Sequence, residues 1–152
     1  MPLTSPPRDE YGVSPHDHNE ILADDLVIRR VSAAWTVVDP KAPGGKRLSS
    51  MAFEKSSGPI GGMSVDLKRQ IEEAGKDARL WVTSPRWTGS VLLRVGDLRL
   101  EGFLVGFDPL DDNPYHGEVW GQFSKGKKKK LLSICKWFVA LDGVALGDQI
   151  RP

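Results

Sequence analysis

The sequence predicts an α+β fold, a single domain at residues 20–152 with a mixed or mainly antiparallel sheet and about two helices packed on it. Three observations carry this. Segments rich in β-branched and aromatic residues recur along the chain. With 16 Gly and 11 Pro, turns are frequent, which favours strands over long helices. Strand-like and helix-like segments do not alternate in the regular manner of parallel βαβ units.

Residues 1–19 carry Pro2, Pro6, Pro7 and Pro15 among Ser, Asp, Glu and His. They offer almost nothing apolar to bury, so they read as a disordered N-terminal tail. The folded part is expected to begin near Ile21, with Leu26-Val-Ile-Arg-Arg-Val31 and Ala34-Trp-Thr-Val-Val38 as strands. Asp39-Pro-Lys-Ala-Pro-Gly-Gly45 is a loop by its Pro and Gly content, residues 48–53 a short strand, and residues 55–62 loop again. A helix follows: Ser64 is placed as its N-cap, Asp66 suits its positive end, Leu67, Ile71 and Ala74 share a face, and Gly75 stops it. Leu80-Trp-Val82 and Val91-Leu-Leu-Arg-Val95 read as strands, and Gly96-Asp97 as a hairpin turn into the alternating Leu98-Arg-Leu-Glu101. Residues 103–107 and 118–123 complete the sheet. A second helix at about 128–140 lines up Leu131, Cys135, Phe138 and Val139.

Composition excludes several classes of function. With 21 Lys+Arg against 20 Asp+Glu, the net charge of +1 gives no global field toward nucleic acid or membrane, so such a partner would need a local patch. The one cysteine, Cys135, allows neither an internal disulfide nor a thiolate zinc site, and it lies on the apolar stripe of the last helix. A reducing, cytoplasmic location is expected. No stretch approaches the roughly 18 apolar residues of a membrane span. The glycines at 44–45 and 58–62 match neither a P-loop nor a dinucleotide fingerprint, and no cofactor is expected.

Polar chemistry concentrates in Phe107-Asp-Pro-Leu-Asp-Asp-Asn-Pro-Tyr-His-Gly-Glu-Val-Trp-Gly121, a loop that delivers His116 and Glu118 to the start of a strand. Two residues apart on a strand, these side chains point to the same side. An imidazole beside a carboxylate can act as a general base or a ligand hook. The blander reading is that Asp108, Asp111, Asp112 and Asn113 make the bonds a turn needs while His116 packs. A metal is not expected, because His16 and His18 fall in the tail and leave the body a single histidine. Lys125, Lys127, Lys128, Lys129 and Lys130 form the one strong charge cluster, at a helix start where cations are mildly unfavourable. A phosphate-bearing partner would offset that cost, although a solvated loop explains the lysines equally well. The five tryptophans read mainly as core residues; Trp87, with turn-forming neighbours, is the one best placed to be exposed, and if exposed it could stack on a base or a ligand.

Arg30, Ser49-Ser50, Ala52-Phe53, Met63-Ser-Val-Asp-Leu67, Asp108-Pro109 and Asn113-Pro-Tyr-His116 follow an R…S…AF…SVDL…DP…NPxH order. This resembles a group of small bacterial proteins with no established activity, over residues 28–121. The resemblance carries over no catalytic role. It directs attention to Arg30, Ser49, Asp66 and His116, which would line a polar pocket if the sheet brings them together.

Two readings follow. The first is a non-enzymatic module that binds a small molecule or a protein partner through Asp66, Ser49, Lys127 and Lys128 near His116, with nucleic acid at the lysines not favoured. The second is a hydrolase or group transferase acting on a phosphate-bearing or nucleotide substrate, with His116 as base, Glu118 orienting it and Arg30 holding charge. A shared cleft for Arg30, Asp66 and His116 would favour the enzyme, and dispersal of the three would favour the module.

Overall fold

The computed structural model describes residues 2–10, 12–55 and 61–146, so residues 56–60 of the expected loop lie outside it. The chain runs through β1 (Arg8–Asp9), β2 (Gly12–Val13), β3 (Leu26–Val31), β4 (Thr36–Val38), β5 (Lys46–Leu48) and a 3-10 turn at Ser50–Ala52. Next come β6 (Met63–Leu67), α1 (Lys68–Glu73), α2 (Ala78–Val82), β7 (Gly89–Arg94) and α3 (Val95–Leu100). It continues with β8 (Leu104–Phe107), β9 (His116–Trp120), α4 (Lys125–Ile134), β10 (Lys136–Val139) and β11 (Val144–Ala145).

The fold is α+β. Its main sheet has six strands in the order β10-β7-β3-β6-β9-β8, with every neighbouring pair antiparallel. A three-stranded sheet, β11-β5-β4, adds one parallel pair. Alternation along the strands splits the main sheet into two faces. One carries Val27, Val31, Val65, Leu67, Val91, Leu93 and Val119 into the larger core with Phe53, Val95, Leu98 and Leu131. On the other face Ile28 joins Ile71, Ala78, Val82 and Phe138, so α1 and α2 cover that side of the sheet. Ile28, Ile71 and Val82 have no exposed surface, and burying each contributes about 1.5–3 kcal/mol.

Several local expectations are corrected. The first helix starts at Lys68, not at Ser64, because Met63-Ser-Val-Asp-Leu67 alternates apolar and polar residues and is recruited between β3 and β9. Ile71 is its buried residue, and Gly75 ends it at φ +78°, a conformation few other residues accept. Residues 80–82 belong to α2, with Leu80 on the exposed side and Val82 buried, and Asp77 caps the helix by accepting from the amides of Arg79 and Leu80. Residues 95–100 form α3 and no hairpin, since Val95 and Leu98 at helical spacing both reach the core. Among the described residues there are four α-helices where about two were expected. The last of these begins at Lys125 and ends at Ile134, and Trp137 and Phe138 then extend as an edge strand on β7. Cys135 is buried in the core as expected.

The described residues 2–10 and 12–19 dock on the body. The amide of His18 donates to Val105 O at 2.9 Å, and Asp17 accepts from Val105 N at 3.0 Å. Phe107 N donates to His16 Nε2, and Arg99 binds Asp17 and the carbonyls of His18 and Ile21. The segment thereby satisfies the free edge of β8, which would otherwise present unpaired backbone groups. Leu3, Val13 and His18 are buried in the process. Their apolar anchors are few and irregularly spaced, which is why the sequence reads as a tail.

Candidate functional site

The two central strands of the main sheet pair at only two positions, Val27 with Leu67 and Ile28 with Asp66. Beyond Ile28, β3 stays with β7 as far as Val31, while β6 stays with β9 as far as Met63. The strands therefore splay, and two arginines occupy the splay from opposite faces. Arg29 donates through Nε to Ala52 O and through Nη1 to Ser64 O, both at 2.9 Å. Arg30 grips Asp66 with two bonds, Nε to Oδ2 at 2.8 Å and Nη2 to Oδ1 at 3.0 Å. Burial pulls the Arg29 guanidinium down to about 10, opposed by the Glu118 carboxylate.

A pocket of about 290 Å³ opens over this splay, lined by Arg29, Arg30, Ser64, Asp66, Trp87, Leu110, Asp112, Asn113 and His116 among others. Asp66 is fully spent inside it. Its carboxylate is 4% exposed and also accepts from Asn113 Nδ2 at 2.7 Å. Asn113 is held in turn by Trp81 Nε1 and by the amide of Tyr115, both donating to its Oδ1 at 3.2 Å. Trp87 forms part of the wall, half-buried, with its ring 5.2 Å from that of Trp35 and under the Arg86 guanidinium.

His116 sits directly across from Asp66 in the β6–β9 pairing. Its Nδ1 lies 2.8 Å from Asp108 O, and a carbonyl can only accept, so Nδ1 carries the proton. In the neutral ring the lone pair is then on Nε2, which faces Glu118 Oε1 at 3.7 Å. Glu118 is buried, accepting from Gly62 N at 2.8 Å and from Ser64 Oγ at 3.4 Å. Position 62 requires glycine, because a Cβ there would lie 2.8 Å from that carboxylate and 2.6 Å from Val119 O. Burial raises the Glu118 carboxyl above its usual range, and His116 and the Gly62 N–H pull the other way. Asp108 Oδ1 meets Arg8 at 3.0 Å. Asp108, His116 and Glu118 each offer a donor atom within 4.8 Å of the others, the elements of a divalent-ion site, with Arg8 already supplying positive charge to Asp108.

The chain matches no protein-family model, no curated protein and no solved structure.

The geometry therefore stands on the chain's own residues. Arg30, Asp66 and His116 share one pocket, and Glu118 lies behind His116. Ser49 does not reach it: its Oγ caps the 3-10 turn by accepting from Met51 N. Nor do the lysines, because α4 packs on the opposite face of the sheet. Lys127 Nζ donates to Glu101 O at 2.7 Å, and Lys128 pairs with Glu54, which offsets the cost of cations at this helix start. Asp111 and Asp112 are exposed and Asn113 is the network's hub, so the loop is more than a turn. Arg29 was overlooked, although two adjacent arginines in an apolar strand must place one on each face. His16 and His18 serve the docking of the N-terminal segment, with His18 Nε2 donating to Thr4 O at 2.8 Å. No helix among the described residues is long and apolar enough to cross a membrane.

Proposed function

We propose that this chain is a small-molecule-binding module whose ligand occupies the pocket over the β3–β6 splay. The observation that supports this is the convergence of Arg30, Asn113, His116 and Trp87 on one 290 Å³ space, with Asp66 locking the polar groups in place. The lining is mainly polar, with Val65, Trp87 and Leu110 as its apolar part, so recognition falls to the fixed polar groups. The donors are preorganised, so a ligand need not order them at its own cost. The test is a small-molecule fragment screen read by backbone-amide NMR shifts. Hits should cluster at residues 29–30, 64–66, 87 and 113–116, and a scatter of hits elsewhere, or none, would remove the reading.

A second reading, a hydrolase or group transferase, is supported by two observations. Arg30, Asp66 and His116 share one pocket, as expected of the enzyme, although the Asp66 carboxylate is already committed to Arg30 and Asn113 and leaves the chemistry to His116. His116 is oriented through Nδ1 by Asp108 O and backed by Glu118, the arrangement a general base needs. Turnover of chromogenic ester or phosphate substrates that His116→Ala abolishes, with ligand binding retained, would establish the enzyme over the module. Equal rates in both proteins would leave only the module.

A further inference from the structure

Around Asp66 the unspent hydrogen-bonding capacity lies on donors, while the exposed Asp112 carboxylate and the Nε2 lone pair of His116 are acceptors elsewhere in the lining. Arg30 uses Nε and one proton of Nη2 on Asp66, which leaves the end-on edge of its guanidinium, Nη1 and the second Nη2 proton, with no partner among the described residues. Asn113 has a second Nδ2 proton of the same kind. Both Asp66 oxygens are engaged, so the pocket presents no matching acceptor there. Arg29, largely buried, bonds only to carbonyl oxygens and has no carboxylate partner among the described residues. The nearby carboxylates of Glu118, Glu54 and Asp66 favour its charge, so Arg29 is balanced within the splay and the free edge of Arg30 is the cationic donor left for a ligand.

The lining carries its own balance of charge. Arg29 and Arg30 are offset by Asp66 and the exposed Asp112, while Asp108 and Glu118 stand just behind His116. One anionic group on the free guanidinium edge is accommodated. A dianion would meet these carboxylates with no further cation to hold it. The planar fork of an arginine matches a planar carboxylate with two parallel bonds. Trp87 offers the adjoining wall on which an apolar or aromatic body can lie.

We propose that the ligand is a small organic monocarboxylate, its carboxylate held by the outward edge of Arg30 and the Asn113 amide, and its body laid against Trp87. This rests on the reading that the pocket binds a ligand, and it counts against a phosphate-bearing substrate. The probes are benzoate, its neutral isostere benzamide, and phenyl phosphate, titrated by amide NMR into the full chain. Benzoate should saturate with shifts at Arg30, Trp87 and Asn113, and benzamide and phenyl phosphate should each bind at least about tenfold more weakly. Arg30→Lys keeps the charge beside Asp66 but loses the fork, and it should weaken benzoate by about tenfold or more. Trp87→Ala, outside the Asp66 network, should weaken benzoate and benzamide alike. Equal binding of benzoate and benzamide, a preference for phenyl phosphate, or an Arg30→Lys protein that binds benzoate normally would overturn the carboxylate. These outcomes would still place a ligand in the pocket. Absence of shifts with all three probes also sinks the carboxylate, and the fragment screen then decides separately whether the pocket binds anything.

Discussion

Replacing Arg30 by Met keeps a long side chain and removes the charge opposite Asp66. That carboxylate is 4% exposed, and it would retain only the Asn113 amide at 2.7 Å. Removing one member of a buried ion pair costs about 3–5 kcal/mol, because the remaining charge is left uncompensated. Arg30 itself is 27% exposed and beside an open pocket, so the cost falls to or below the lower end of that range, about 2–3 kcal/mol. At this chain length about 2–4 °C of midpoint accompanies each kcal/mol, so melting should fall by about 4–12 °C. The assay is urea denaturation of the wild type, Arg30→Met, Asp66→Asn and the double variant. Since the two residues share one network, the double variant should lose at least about 1 kcal/mol less than the sum of the singles. Additive losses, or an Arg30→Met cost below about 0.5 kcal/mol, would show that the pair does not hold this site together.

Glu118 gives the stability a pH dependence. In the unfolded chain it titrates near 4.5, and in the fold it holds its proton to higher pH. Between those values the native state binds more protons, so this group's contribution is full below about 4.5 and is lost as pH rises through the native value. Glu118→Gln should flatten that limb in thermal melts taken from pH 4 to 7, and an unchanged slope would show that burial is not what governs the carboxyl. Ile71→Ala empties a site with no exposed surface between α1 and the sheet and should cost about 2–5 kcal/mol in denaturant melts. Asp17→Ala removes the acceptor for Val105 N and the partner of Arg99, and should cost about 1–3 kcal/mol. No change in its melting would mean that the N-terminal segment does not close the β8 edge.

Part of the geometry of the candidate site was readable in the sequence, for a local reason. His116 and Glu118 are two apart on a strand, so their shared face follows from the period of the chain. Asp66 and Arg30 were singled out only by the R…S…AF…SVDL…DP…NPxH order, and Asp66 was assigned to a helix start, whereas the structure puts it on a strand, paired with Arg30. Their pairing is a matter of register, set by pairings between segments far apart in the chain. Ser49 came from the same order and caps a turn, because a hydroxyl is satisfied as readily by a neighbouring amide as by a ligand.

By itself the sequence determined the α+β class, the strands β3, β7, β8 and β9, the stop at Gly75 and the burial of Cys135. Each rests on interactions within a few residues: β-branched runs, helical spacing, or a glycine free to take positive φ. Tertiary structure alone decided that residues 63–67 become a strand, since a five-residue alternating segment fits either element until two neighbouring strands compete for its backbone. It also decided that Gly96-Asp97 turns into a helix under the core, and that the described residues before position 20 fold back. Those residues carry too little apolar surface to order themselves, and the open backbone groups of β8, invisible in a linear reading, supply what is missing. The pocket is likewise a tertiary product. It exists because β3 and β6 part after two paired residues, and no local pattern records where two strands diverge.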